Sequence, residues 1–191
     1  SKLEKVCDHF HLSLQSGCTD TLKRMNRKYT ANEIEEAAER IRRYFQNVAL
    51  TADIIVGFPG ETDEEFKQTY ELLKRIKLYK IHVFKYSPRQ GTKAAVMENQ
   101  IDGNIKEERS NKLLELSDKY EKEFNEACIG KELSVLCEEQ EGKYVKGHTT
   151  NYRLVKVKKE DSNKQLKLEN EIFKVKILNV DGLELIGTLV V

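Results

Sequence analysis

Residues 9 to 17, HFHLSLQSG, set His9, His11, Ser13 and Gln15 at alternate positions, with Phe10, Leu12 and Leu14 between them. A period of two is that of a strand, so two imidazoles, a hydroxyl and a carboxamide share one face. These groups bind, orient or exchange protons, and burying them without partners is costly. Two later stretches offer matching sets: Thr51 and Asp53 in LTADIIVG, and His82, Phe84 and Tyr86 in KIHVFKY. If the three faces are neighbours, they line one concave, partly polar surface. For any single histidine, a hydrogen-bonded core imidazole is the commoner role. A metal site from Cys7, His9 and His11 lacks a fourth ligand, and no metal is assigned.

The loops that follow these stretches carry both prolines of the chain, Pro59 in GFPGE and Pro88 in YSPRQGT, together with Gly17, Gly57, Gly60 and Gly91. One such loop is ordinary turn punctuation. Three in succession, at the C-terminal ends of strands, mark the edge where α/β folds bind ligands. In TLKRMNRKYT the cations Lys23, Arg24, Arg27 and Lys28 suit a carboxylate or phosphate clamp; a solvated basic helix face explains them equally well.

Positioning these residues requires a repeating strand and helix order. Thr30 and Glu33 have capping-box spacing before the apolar stripe Ile34, Ala37, Ala38, Ile41 and Phe45. Thr62 and Glu65 repeat the device before Phe66, Tyr70, Leu73 and Ile76. A long helix is expected over about 105–128, burying Leu113, Leu116, Tyr120, Phe124 and Ala127. Strands near 9–15, 50–56 and 80–86 separated by such helices imply right-handed crossovers and a parallel sheet. Beyond Gly130 the pattern changes to short strand-like segments, KELSVLCEE, KYVKGHTTNY, RLVKVKK and IFKVKILNV, and the Asp181–Gly182 pair before LELIGTLVV signals a hairpin. The expected organisation is an α/β domain over 1–128 and a small antiparallel, OB-like β-barrel over 129–191. In RLVKVKK, Val155 and Val157 point inward and Lys156 and Lys158 outward.

With 33 basic against 32 acidic residues, overall charge gives no argument for a polyanionic partner, although local clusters can supply one. Mean hydropathy is -0.63, and no apolar run is long enough to span a membrane. Four cysteines without a close pair suggest neither a zinc site nor a disulfide framework, and a reduced, cytoplasmic setting is expected.

Taken as whole strings, HFHLSLQSGCTDTLKRMNRKYT, TADIIVGFPGETDEEF and FKYSPRQGTKAA resemble the second half of the radical S-adenosylmethionine (radical SAM) barrel of the tRNA and ribosomal methylthiotransferases. KGHTTNYRLVKV resembles the RNA-binding TRAM domain of that family. HLSLQSG, in place of the HLPVQSG of the isopentenyladenosine branch or a histidine after Gln in the ribosomal-protein branch, is most similar to the branch acting on threonylcarbamoyladenosine at position 37 of tRNA.

The resemblance implies methylthiolation at C2 of that adenine, with S-adenosylmethionine and two 4Fe-4S clusters as cofactors and tRNA as partner. One cluster is held by a CxxxCxxC motif and the other by three cysteines of an N-terminal domain. Cys7, Cys18, Cys128 and Cys137 match neither set, and the chain begins SKLEKV without Met. It therefore reads as an inactive fragment cut inside the barrel, free to self-associate through the exposed strand 9–15. By the same resemblance Gln15, Ser16 and Gly17 and the loop Gly57, Phe58, Pro59, Gly60 and Glu61 meet the nucleoside of S-adenosylmethionine, and Arg27 or Arg24 its carboxylate. His11, Ser13, Asp53, Tyr86 and Arg89 face the lumen or the base; His148, Asn151, Tyr152, Arg153, Lys156 and Lys158 meet RNA. Within the same family, an isopentenyladenosine tRNA methylthiotransferase or a ribosomal-protein methylthiotransferase is the alternative, and two readings from other classes stand beside it. The chain is an RNA-binding module alone, or an unrelated barrel hydrolase or aldolase built on His9, His11 and Asp53.

Overall fold

The computed structural model describes residues 5–158 and 168–190, and the chain divides into two units. Residues 1–4, Lys159 of RLVKVKK and Val191 lie outside the described residues.

The first unit, Phe10–Tyr120, is α/β. Its strands are β1 (His9–Gln15), β2 (Ala49–Val56) and β3 (Lys80–Lys85), in the spatial order β1-β2-β3. β2 pairs with β3 in parallel, placing Asp53 opposite His82 and Ile55 opposite Phe84. As the central strand, β2 is buried on nearly its whole length, which its run of apolar residues anticipates. The helices are α1 (Thr19–Arg24), α2 (Ala31–Tyr44), α3 (Asp63–Ile76) and α4 (Gly103–Glu126). The short α1 carries Lys23 and Arg24, in keeping with the basic helix face that is one of the two readings of TLKRMNRKYT.

Both capping boxes form. Thr30 Oγ1 accepts the Glu33 N–H at 3.3 Å while Glu33 Oε2 accepts the Thr30 N–H at 2.7 Å. Thr62 and Glu65 do the same at 3.2 and 2.9 Å, fixing where α3 begins. Leu14, Leu22, Leu50, Ile54, Leu72, Leu73 and Leu113 make the fully buried core between sheet and helices. Leu116 and Tyr120 extend it along α4, and Ser117 Oγ accepts the Ile81 N–H at 2.9 Å, tying that helix to β3. Ala127, expected on this buried face, is exposed because α4 ends one residue before it.

The second unit is built on a closed five-stranded barrel. Its strands are β4 (Glu132–Glu141), β5 (Tyr144–Thr149), β6 (Leu154–Lys158), β7 (Glu171–Asp181) and β8 (Glu184–Leu189), in the order β4-β5-β6-β8-β7. The barrel is mixed rather than antiparallel throughout: β6 and β8 run parallel, Val155 opposite Leu185. Closure forces this, since the hairpin β7–β8 brings β8 back alongside β6 in the same direction. Val135, Cys137, Val145, Val155, Val157, Val175 and Ile177 fill the interior on the alternation expected.

Candidate functional site

At the C-terminal edge of the sheet, the ends of β1, β2 and β3 meet. On the face below that edge, His11 Nδ1 lies 2.9 Å from Thr51 Oγ1, and His11 Nε2 lies 3.5 Å from Asp53. The His82 ring is 5.8 Å from that of His11. The structure thus brings the predicted polar residues of all three strands together, and the hydroxyl and carboxylate of β2 hold one imidazole of β1 in place. Ser13 is exposed, and its carbonyl accepts the Tyr29 hydroxyl.

The loop after β2 is held from beneath. Glu61 folds back so that its Oε1 accepts the Gly57 N–H at 3.0 Å, and Arg109 of α4 donates to the same oxygen at 2.6 Å. Arg109 also reaches the Glu61 carbonyl at 3.2 Å and Asp63 at 2.7 Å. Burial pushes the Glu61 carboxyl above its ordinary pKa, opposed by the Gly57 N–H and by Arg109. Phe58 and Pro59 are buried, and Phe58 meets the Tyr86 ring edge-on at 5.2 Å. Gly60 donates to the Asn99 carbonyl at 2.9 Å. The loop is therefore a rigid, internally satisfied structure.

Two glycines have intramolecular reasons to be glycine. Gly57 has φ +72°, and a Cβ there would lie 2.3 Å from Lys106 Cγ. At Gly17 a Cβ would lie 2.6 Å from the Thr69 Cα, so β1 and α3 could not approach as they do. Thr69 Oγ1 accepts the Gly17 N–H at 3.0 Å and lies 3.2 Å from Ser16 Oγ, which in turn accepts the Cys18 N–H at 3.2 Å. Ser16 and Gly17 are thus buried against α3. Gln15 is different: 7% exposed, with φ +65°, it makes no side-chain hydrogen bond among the described residues.

Of the cations in TLKRMNRKYT, Arg24 binds Glu65 through both oxygens at 2.8 and 2.6 Å, and Lys23 pairs with Asp20 at 3.0 Å. The Glu65 carboxylate is held below its ordinary pKa chiefly by Arg24, and by the Thr62 N–H. Lys28 donates to the neutral Asn26 side chain at 3.2 Å, and neither it nor exposed Arg27 makes an ion pair among the described residues.

A cleft of about 380 Å³ opens beside the strand ends, lined by Gln15, Asp53, Ile55, Phe84, Tyr86 and Arg89 among others. The Tyr86 hydroxyl is sealed from solvent without a hydrogen-bond partner among the described residues. Lys85 is paired with Glu107 at 2.5 Å, and Lys106 donates to the Tyr86 carbonyl at 3.2 Å. Arg109, Thr69 and Lys106 were not anticipated. The one signal that pointed to Arg109 is a glutamate inside an otherwise apolar loop, since a buried carboxylate demands a cation.

On the barrel unit, Tyr152 is 61% exposed with φ +64°, and its ring stacks on His148 at 4.6 Å and 15°. His148 is held by Glu138 at 2.5 Å. Lys156 pairs with Glu184 at 2.5 Å, while Lys158 is exposed and makes no ion pair among the described residues. Asn151 and Arg153 do not present their polar groups outward. They are 8% and 4% exposed; Asn151 accepts the Thr149 hydroxyl at 2.6 Å, and Arg153 donates to the Phe124 carbonyl at 2.8 Å and to Cys128 Sγ. Asn151 thus accepts and Arg153 donates within the unit, and both bonds serve the fold.

Residues 1–73 match the radical SAM superfamily. Over 181 residues the chain is 40% identical to the threonylcarbamoyladenosine tRNA methylthiotransferase MtaB of Bacillus subtilis, covering 92% of this chain and 39% of that protein. It is 45% identical over 135 residues to the tRNA-2-methylthio-N(6)-dimethylallyladenosine synthase of Acetivibrio thermocellus, covering 71% of this chain and 28% of that one. Against MtaB of Thermotoga maritima the identity is 40% over 134 residues, or 70% and 31% of the two chains. The chain therefore spans well under half the length of these relatives. It is a homologue of the tRNA methylthiotransferases, with radical SAM sequence in residues 1–73.

Proposed function

We propose that this chain is part of an enzyme that methylthiolates N6-threonylcarbamoyladenosine at position 37 of tRNA. The observation that carries the reading is the similarity to the Bacillus subtilis enzyme over 92% of the chain, coincident with a cleft at the strand ends that the aligned polar faces border. His11 and Asp53 are a preset polar pair beside that cleft, and Asp53 also lines it.

The carboxamide of Gln15, which lines the cleft and makes no side-chain hydrogen bond among the described residues, supports S-adenosylmethionine at the strand ends by offering a donor and an acceptor to a nucleoside edge. Arg27 is the cation left to meet its carboxylate; Arg24 is already committed to Glu65. When bound, the cofactor supplies a methyl group and the radical that opens the base to sulfur. The chain's own residues orient nucleoside and base and hold the GFPGE loop rigid. The iron-sulfur clusters do not fit these residues. Cys18, Cys128 and Cys137 are buried and Cys7 is exposed, and no three His, Cys, Asp or Glu converge on a metal position among the described residues. The proposal accordingly places cluster binding, and hence turnover, in parts of the enzyme outside these 191 residues.

Exposed Tyr152 on His148, with Lys158 nearby in sequence, supports contact with an unpaired tRNA base by the barrel unit. Deleting the intact gene and separating tRNA nucleosides by mass spectrometry tests the reading. Loss of 2-methylthio-N6-threonylcarbamoyladenosine with accumulation of its unthiolated precursor is expected. Undiminished product, or loss of the dimethylallyl derivative in its place, refutes the assignment.

A further inference from the structure

Two uncommon local features of the barrel unit converge on one exposed pair of rings. The first is a bulge in β4. Leu136 pairs with His148 and Cys137 with Gly147, and the plain continuation of that register would set Glu138 opposite Lys146. Glu139 stands there instead, Lys146 goes to Glu141 at 2.8 Å, and the extra residue, Glu138, is aimed at His148 Nδ1 at 2.5 Å. Bulges re-aim side chains in this way beside functional sites. The second feature is the turn after β5. Tyr152, at φ +64°, is held there by its N–H to the Thr149 carbonyl at 2.9 Å, and the N–H of Arg153 goes to Thr149 Oγ1 at 3.0 Å. A bulky residue in the left-handed region is an outlier that the surrounding structure has to hold in place.

The two features meet in the stack of His148 and Tyr152. An ionised carboxylate only accepts, so Glu138 fixes a proton on Nδ1 and with it the plane of the imidazole. That plane lies 15° from the Tyr152 ring. Tyr152 stays exposed although His9, which belongs to the barrel unit, also meets its ring at 5.3 Å and 27°. The outer face beside the stack is apolar: Leu136 is opposite His148, Ile172 is opposite Leu136, and both are exposed. Exposed rings next to exposed aliphatic side chains suit unpaired bases. A carboxylate on such a surface repels RNA if charge is its only effect.

We propose that Glu138 is a positioning residue for RNA contact: through His148 it holds the Tyr152 ring in the pose on which an unpaired base stacks. The inference rests on the tRNA contact proposed above for the barrel unit. It gives an acidic residue of that face an effect on binding opposite in sign to its charge. Ordering an unsupported side chain on binding lowers affinity by about 3–10-fold, and the array of Glu138, His148 and Tyr152 does that ordering beforehand.

The test titrates the 191-residue chain with fluorescently labelled tRNA at about 50 mM and about 200 mM salt. Glu138→Ala should bind about 3–10-fold more weakly than the unaltered chain at both salt concentrations, because the loss is one of geometry. Glu138→Gln keeps an acceptor for the Nδ1 proton and should stay within about twofold of the unaltered chain. Glu138→Ala added to Tyr152→Ala should weaken binding no further than Tyr152→Ala alone, the mark of a residue that acts through another. Glu138 is half-exposed, so the urea midpoints of both single variants should stay within about 0.5 M of the parent, which checks that the fold is kept. A Glu138→Ala variant that binds as tightly as the unaltered chain, or more tightly as plain charge repulsion requires, overturns the inference. So does a loss that persists undiminished without Tyr152, or an equal loss in Glu138→Gln. Failure of the unaltered chain to bind tRNA, or of Tyr152→Ala to weaken binding, refutes the barrel contact itself, and the gene deletion decides the enzyme assignment independently.

Discussion

Arg109→Met removes the cation from a pair whose side chains are 5% and 3% exposed, while a chain of similar length stays packed over the Phe66 ring, now 5.4 Å from the guanidinium. Glu61 then keeps the Gly57 N–H at 3.0 Å as its side-chain contact from the loop. Removing one partner of a buried pair costs about 3–5 kcal/mol, because the other charge stays desolvated. The lost bond to Asp63 adds little, since that carboxylate is 97% exposed. At roughly 2 kcal/mol per molar urea, the unfolding midpoint should fall by about 1.5–2.5 M. The pH dependence has a definite sign. Burial raises the Glu61 pKa in the folded chain above its unfolded value. The stability linked to this proton is then fully present below the unfolded pKa and is lost as pH rises through the folded one. Without Arg109 the folded pKa climbs further. The deficit of the variant is therefore greatest at neutral and alkaline pH and shrinks toward about pH 5. Glu61→Gln added to Arg109→Met should recover part of the loss at neutral pH. A single variant within about 1 kcal/mol of the parent, or a deficit that does not change with pH, would refute the account of this loop.

Other outcomes can be checked on the same material. Gly17→Ala puts a methyl group 2.6 Å from the Thr69 backbone and should cost about 1–3 kcal/mol in urea unfolding. Tyr152→Ala should lower tRNA affinity by about 5–100-fold, the worth of one stacked base, in a fluorescence titration; an unchanged affinity would dismiss the stacking role. Anaerobic treatment of the 191-residue chain with iron and sulfide should leave it colourless, and a stoichiometric cluster absorbance would contradict the ligand assignment. β1 lies at the edge of its sheet, and self-association through that edge is expected as a concentration-dependent shift in sedimentation; a monomer at all concentrations would exclude it.

What was legible in the sequence was local. The two capping boxes, the Asp181–Gly182 hairpin and the alternation of Val155 and Val157 depend on residues a few positions apart, and each appears in the structure. The alignment of Thr51, Asp53 and His82 with His11 was legible too, because strand period fixes faces before pairing is known. What was not legible depends on distance along the chain. Arg109 reaches Glu61 across 48 residues from a helix whose sequence is charged on several sides. Gly17 and Gly57 look like ligand-cradling glycines, and only the packed structure reveals that Thr69 and Lys106 occupy the space. Arg153 looks like an RNA-facing cation in a basic strand, yet its partners are the Phe124 carbonyl and a cysteine sulfur 25 residues earlier. The parallel β6–β8 pair follows from ring closure, which no local pattern encodes.

That pair also imposes an order in time. β8 is the last strand of the ring in sequence and the piece that joins β6 to β7. During synthesis β4, β5 and β6 can pair as they emerge, but the ring stays open until residue 189 has left the ribosome. At about 5–20 residues per second, the stretch from 158 to 189 takes roughly 2–6 s to make. For those seconds β6 has a bare edge and the apolar interior lacks its last wall. The hazard of mispairing in this barrel is thus set by translation speed over one short stretch of message, and slower codons there would lengthen it.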